Sequence, residues 1–254
     1  TEEYTEWLNL LILPGSSLGG ARPKASIIDE KENLWIAKFP SLHDDTNVGG
    51  WEIIAYQIAR EAGVNMSESK VQRFNSDNYT FLTKRFDRKR KQRIHFASAM
   101  TCLGKVDGSD HSLGVCYLDL VEFIIHSGEN VDGDLEELWR RIVLNICLSN
   151  VDDHLRNHGF ILGKNGWRLS PAYDINPSPM GEGLKLNISE NDNSQSLELA
   201  LSVIEYFRID KNRAKKIIKE VKSAVIKWRE RAQQLGISKA KQDLMARAFR
   251  ISEL

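Results

Sequence analysis

The stretch Leu148–Asp174, LSNVDDHLRNHGFILGKNGWRLSPAYD, constrains this chain more than any other. It follows LEELWRRIVLNICLSN, where Leu135, Leu138, Ile142 and Ile146 recur at helical spacing and form a stripe that a core must cover. Two aspartates and an asparagine arrive where that buried helix stops. GFIL and WRL then flank the turn GKNG, a pattern that predicts a β-hairpin. A hairpin returns the chain to its starting edge, so Asp174 is expected beside Asp152 and Asn157.

Upstream, KASIID (Lys24 to Asp29) and LWIAKF (Leu34 to Phe39) flank the polar EKEN and predict two strands. Alternation puts Leu34, Ile36 and Lys38 on one face of the second strand and Trp35, Ala37 and Phe39 on the other. WEIIAYQIAREAG follows as a helix, with Gly63 placed to end it, and YTFLTKRF (Tyr79 to Phe86) has strand character. Beyond the basic run RFDRKRKQR (Arg85 to Arg93), read as a solvated loop, helical periodicity dominates. Ile209 to Leu235 carries one apolar stripe, and SENDNSQS (Ser189 to Ser196) is a polar loop. The expected class is α+β, with a β-rich domain over 1–86 and a larger, mostly helical domain over 87–254.

Thirty-five basic against thirty-five acidic residues leave no net charge to recruit a nucleic acid or an anionic membrane. Cys102, Cys116 and Cys147 form no C-x-x-C pair, which points to free thiols in a reducing cytoplasm rather than a metal or redox site. No apolar run approaches the roughly 20 residues of a membrane helix. The glycine loop GSSLGGARPKA (Gly15 to Ala25) is neither a Walker A loop nor a dinucleotide fingerprint.

Phosphoryl transfer from ATP accounts for the central constellation. One carboxylate must accept the proton of the attacking hydroxyl, while an asparagine and a second carboxylate hold magnesium against the phosphates. Asp152 and Asn157 have the D-x-x-x-x-N interval of protein kinases, and Asp174 supplies the later carboxylate. By the same logic a strand lysine oriented by a helical glutamate is needed. Lys38 and Glu52 fit. Taken singly, each residue has a plainer role: DDHLRN as a polar helix cap, Lys38 snorkelling to solvent, and Glu52 in an exposed first helical turn. Order and conjunction favour the chemistry.

SSLGGARPKA, WIAKFPS, WEIIAYQIAREAGV, TKRFDR, SNVDDHLRNHGFIL and LSPAYDINPSP together resemble the HipA family of bacterial serine/threonine kinases, toxins of type II toxin-antitoxin modules. The blocks run from about Ser16 to Pro179. The resemblance implies a two-lobed protein-kinase-like fold with ATP between the lobes. It implies Asp152 as catalytic base, Asn157 and Asp174 as magnesium ligands, and Lys38 as the nucleotide-phosphate lysine. Lys24 corresponds to the loop lysine near the phosphates, and Phe86, with the backbone near Lys84 and Arg85, to the hinge that receives adenine. Ser17, or its neighbour Ser16, corresponds to a serine whose autophosphorylation turns the kinase off; a phosphoserine adds roughly two negative charges, which a pocket for ATP repels.

The implied partners are a protein substrate, of which an aminoacyl-tRNA synthetase is the family type, and a cognate antitoxin. Direct nucleic-acid binding and membrane association are not expected, and the expected location is the cytoplasm. Long members carry an additional domain before the glycine loop where this chain has fourteen residues, so a short form is expected, or one whose extra domain is a separate polypeptide or has been removed. Arg22 and Pro23 replace glutamine and glutamate of the best-known members, and Lys84 stands where an acidic residue is usual. His154 and His158 are read as structural. Two other functions share the residue set: a small-molecule kinase on this scaffold, and a nucleotide-binding pseudokinase.

Overall fold

The computed structural model describes residues 23–41, 44–74, 76–89 and 92–253. The chain divides into two compact units, residues 1–53 with 67–94, and residues 54–66 with 95–254. The glycine loop with Ser16 and Ser17 lies outside the described residues.

The first unit is built on an antiparallel four-stranded sheet. Its strands are β1 (Lys24–Ile28), β2 (Leu34–Lys38), β3 (Ser69–Gln72) and β4 (Thr80–Lys84), in the order β1-β2-β4-β3. Asp29 organises the turn between the first two by accepting from the amides of Lys31 and Asn33 and from the Trp35 indole. The period-two alternation holds: Trp35 and Ala37 are buried with Ile27 and Leu82 in one apolar cluster, against which Phe39 packs. The opposite face of β2 carries Leu34, Ile36 and Lys38, as the alternation predicts.

Helix α1 (Val48–Glu61) begins earlier than the apolar pattern indicates. The Asn47 carboxamide oxygen accepts from the Gly50 amide, capping a helix that starts three residues before Trp51, and also from the Tyr79 amide. At the other end the Val64 amide bonds the Ala59 carbonyl, with Gly63 at φ +80° between them, a Schellman turn. An alanine here would be held in the left-handed region with its methyl 3.3 Å from the Arg140 guanidinium. Gly63→Ala is therefore expected to lower unfolding stability by about 1–2 kcal/mol, measurable as a shift in the urea midpoint.

The basic run is more than a solvated loop. Asp87 is buried and ion-paired to both Arg85 and Arg88, while the short strands β5 (Arg88–Lys89) and β6 (Gln92–Arg93) expose Lys89 and Arg93. Burial pushes the Asp87 carboxyl up, but the two guanidiniums more than offset this and hold it below its ordinary range.

The second unit centres on α4 (Val131–Leu148), preceded by α2 (Ala99–Cys102) and α3 (Tyr117–Ser127). The stripe Leu135, Leu138, Ile142, Ile146 is fully buried, but so is every residue from Leu138 to Leu148. Burial on all sides marks a core helix. The hairpin predicted after it forms as β8 (Gly159–Leu162) and β9 (Trp167–Leu169), with β7 (Phe96–Ser98) completing a three-stranded antiparallel sheet.

Beyond α5 (Leu197–Ser202), the stripe read over Ile209–Leu235 is divided between α6 (Lys211–Val225) and α7 (Trp228–Gln234). The chain leaves helical geometry at Lys227, and Trp228 stacks on Phe249 at 4.3 Å between centroids. Helix α8 (Lys239–Met245) and a last turn, α9 (Arg250–Glu253), close the unit. Among the described residues no helix is long and apolar enough to cross a membrane.

Candidate active site

Four buried polar residues on α4 are misplaced for a helix so apolar, and three of them hold the segments that carry the site. Asp134 accepts from the Leu169 amide at the end of the hairpin. Arg141 donates to the Ser170 carbonyl and pairs with Glu137 one turn away. Asn145 donates to Asp153 at 2.8 Å and accepts from the Asn150 side chain. Arg140, the fourth, reaches the Ala62 carbonyl and Glu220. Burial without such partners would cost each of these groups a desolvation penalty.

The helix stops at Ser149, whose left-handed φ of +46° turns the chain into the loop 150–157; the Asn150 amide reaches back to the Asn145 carbonyl. Within that loop the two adjacent aspartates have opposite environments. Asp152 is exposed. Asp153 is buried, and one oxygen accepts from the Tyr117 hydroxyl at 2.6 Å, Asn145 at 2.8 Å and His158 Nε2 at 2.8 Å. Burial pushes the Asp153 carboxyl up most, yet His158 and the hydrogen bonds from His158 and Tyr117 together bring it below the ordinary carboxylate value. Asp153 therefore anchors the loop as a buried anion, and Asp152 is left to solvent chemistry.

Asn157 is buried, and its side-chain amide donates to the Asp152 carbonyl at 3.1 Å. That bond uses the nitrogen and leaves the carboxamide oxygen for other work. The return of the chain after the hairpin occurs as the sequence predicts. Tyr173 donates its hydroxyl to the Arg156 carbonyl at 2.8 Å, and the Asn176 amide reaches the Asn150 side chain at 3.3 Å. Asp174, between them, is thereby drawn to the loop of Asp152 and Asn157. It adopts a left-handed φ of +59°, a strained conformation for a residue other than glycine. Asn176 donates to its carboxylate.

In the first unit Lys38 is ion-paired with Glu52, with side-chain exposures of 12% and 5%. Neither residue is the solvent-facing group that a strand lysine and a first-turn glutamate could have been. Because α1 starts at Val48, Glu52 lies in its second turn. Lys24 stands opposite Lys38 in the β1–β2 register, and Phe81 opposite it on β4, with Nζ 5.5 Å from the Phe81 ring centroid. Two lysines thus share one sheet face beside one glutamate.

Lys84, Arg85 and Phe86, which the resemblance reads as a hinge, are differently committed. The Lys84 amide bonds the Glu68 carbonyl, its carbonyl accepts from Ser67, and its side chain pairs with Glu68 at 3.3 Å. The Arg85 amide bonds the Leu34 carbonyl and its guanidinium holds Asp87. Phe86 is half-buried.

The structure thus brings Lys24, Lys38 and Glu52 together in one unit and Asp152, Asn157 and Asp174 together in the other. It also shows supporting residues that the sequence reading passed over, namely Asp153, Tyr117, Asn145 and Arg141. A signal existed for Asn145 and Arg141, polar residues within an apolar helix; none marked Tyr117. His158 is structural, as read. Among the described residues no cluster of three or more His, Cys, Asp or Glu side chains is placed to hold a metal. The donor set near the loop is instead Asn157 and Asp174, oxygen ligands of the kind that hard magnesium takes.

Comparison with known proteins agrees with this architecture. The family model described as "HipA-like C-terminal domain" matches residues 16–228. A Haemophilus influenzae protein named "Putative kinase" is 31% identical over 189 residues, 66% of this chain; the chain spans about half, 54%, of that relative's length. Among solved structures, HipA of Shewanella oneidensis MR-1, determined in complex with HipB and operator DNA, superposes with a TM-score of 0.73 at 17% identity, over 99% of this chain and 70% of its own. The Helicobacter pylori proinflammatory kinase CtkA superposes with a TM-score of 0.59 at 17% identity, over 93% and 95% of the two chains. The mixed fold of small antiparallel sheets and helices is the fold of these two proteins, and with most of its length matched by the family model, the chain belongs to the HipA-like C-terminal domain family.

Proposed function

We propose that this chain is an ATP-dependent serine/threonine protein kinase with two lobes, the first over 1–86 and the second over 87–254, that binds nucleotide between them. The observation that carries the reading is the division of labour in the loop 150–157: one aspartate is buried as an anchor, its neighbour is exposed, and Asn157 and Asp174 are drawn to the same loop. Asp152 then accepts the proton of the acceptor hydroxyl. The hydroxyl oxygen bonds the γ-phosphorus as the bond from that phosphorus to the β–γ bridging oxygen breaks, and ADP leaves with the electron pair. Asn157 and Asp174 would hold Mg²⁺, which neutralises charge on the phosphates when bound. Lys38, oriented by Glu52, and Lys24 contact phosphate oxygens, and Phe86 with the backbone near Lys84 and Arg85 borders the adenine.

The finer features belong to the same proposal. Autophosphorylation of Ser17 or Ser16 silences the enzyme. A cognate antitoxin is supported by the relative from Shewanella, which was solved with HipB, and an aminoacyl-tRNA synthetase substrate by the family resemblance alone. Action in the cytoplasm belongs to the same proposal, supported by Cys102, Cys116 and Cys147 as free thiols suited to a reducing compartment.

The test is mass spectrometry after incubation of the protein with magnesium-ATP and cell lysate. New phosphoserine or phosphothreonine on a lysate protein is expected, falling to background when EDTA removes the magnesium. Phosphate found only on a small-molecule acceptor, or bound nucleotide with no transfer at all, overturns the protein-kinase reading.

A further inference from the structure

Beside the exposed aspartate the second unit contains a cavity of about 160 Å³, with Asp152 in its wall. Its apolar lining comes from Met100, Val106 and Leu155, and Arg156 and Lys185 stand at its sides. Met100, Val106, Leu155 and Lys185 lie outside every role assigned above, and Arg156 has entered only through its backbone carbonyl. The cavity is formed in advance of any ligand: the Lys105 amide bonds the Met100 carbonyl, the Ser109 amide bonds the Val106 carbonyl, and Asp107 accepts from the Gly108 amide, so the loop 105–109 closes on itself.

Charge decides what fits. Arg156 is paired with Asp107, and Lys185 with Asp110 at 3.0 Å, so both cations already have carboxylate partners. An acidic side chain entering here would meet Asp152 and Asp107, and the basic groups of the wall are already engaged, Arg156 with Asp107, Lys185 with Asp110 and the His154 ring with Arg156 at 3.3 Å. A basic one would meet Arg156 and Lys185, and any pairing with Asp152 would occupy the group needed for the acceptor hydroxyl. Only an uncharged side chain faces no like charge, and the Met100, Val106 and Leu155 surfaces reward an apolar one.

Resting on the kinase reading above, we infer that this cavity is a substrate subsite that seats an apolar side chain, of leucine or methionine size, from a residue within two positions of the acceptor serine or threonine. Successive Cα atoms are about 3.8 Å apart, so with the acceptor hydroxyl at Asp152 a neighbouring residue of an extended polypeptide reaches the cavity without bending. The subsite makes the enzyme a reader of local polypeptide sequence rather than of a bare hydroxyl.

The test is phosphorylation of a peptide library with a fixed serine and degenerate flanks, by wild type, Val106→Trp, Val106→Ala and Asp152→Asn, with magnesium-ATP. Val106 is 72% exposed, so its variants should fold, which a thermal melt checks. For wild type, leucine or methionine should be enriched over glycine at one flanking position by about tenfold or more, the scale set by apolar pockets. Val106→Trp fills the cavity and should bring that ratio close to one. Val106→Ala enlarges it and should shift preference toward larger apolar residues. Asp152-dependent transfer with flat flanks, an acidic or basic preference, or a ratio unchanged in Val106→Trp overturns the subsite while leaving the kinase reading in place. No Asp152-dependent transfer to any polypeptide, in the library or in lysate, overturns both.

Discussion

Asp152→Asn should lower phosphate transfer by about 10²–10⁴-fold, the range for removing a positioned general base. The loss should fall on kcat, because the substitution leaves Lys24 and Lys38, proposed to contact the phosphates, untouched. It should not fall on folding. Asn157 is held by the backbone carbonyl of Asp152 rather than by its carboxylate, and the side chain itself is exposed. Transfer kinetics beside a thermal melt give both quantities. An Asn variant within about threefold of wild type would remove Asp152 from the mechanism. Asp153, one residue on, does not stand in for it, since its carboxylate is buried beneath three donors and has no path to an acceptor hydroxyl.

Asp153→Ala should show the opposite profile, a loss of stability first and of activity as a consequence. Removing the carboxylate strands the Tyr117 hydroxyl, the Asn145 amide and His158 Nε2 in a dry interior. Breaking a buried pair of this kind costs about 3–5 kcal/mol, which for a chain of this size lowers Tm by roughly 6–20 °C. The contribution depends on pH with a definite sign. The folded carboxyl lies below its ordinary value of 3.8, because the favourable His158 and hydrogen-bond contributions outweigh burial. The native state therefore binds that proton less readily than the unfolded chain. Stability from Asp153 is complete above the unfolded value and is lost as pH falls from about 4 toward and through the lower folded value. Urea midpoints measured from pH 6 to pH 2.5 should show the gap between wild type and Asp153→Ala narrowing below about pH 4. A gap that stays constant over that range would refute Asp153 as a buried anion.

Local pattern determined a good deal of this protein. Alternation in LWIAKF assigned Trp35 and Ala37 to the core and Lys38 to the other face; GFIL-GKNG-WRL specified the hairpin; Gly63 ended the first helix. These features depend on residues a few positions apart, where backbone geometry and turn chemistry are nearly sufficient. The order of a strand lysine, a helical glutamate and an Asp/Asn/Asp set was legible for the same reason, since each motif is short.

Tertiary structure decided what depends on burial and on distant partners. Two adjacent aspartates of identical chemistry became an anchor and an exposed candidate base because Tyr117, Asn145 and His158 converge on one of them. Glu52, which taken singly reads as an exposed first-turn residue of a helix starting at Trp51, is buried against Lys38 in the second turn of a helix that Asn47 caps and that starts at Val48. The stripe over Ile209–Leu235 divides where Trp228 stacks on Phe249, a contact that periodicity within the stripe cannot encode. The cavity beside Asp152 is assembled from residues between Met100 and Lys185; its apolar surface comes from Met100, Val106 and Leu155, and the Arg156 and Lys185 cations beside it are engaged by carboxylates from other segments. Sequence spacing sets which residues share a local face; the folded chain sets which charges lose their water, and that loss is what separates an anchor from a reactive group.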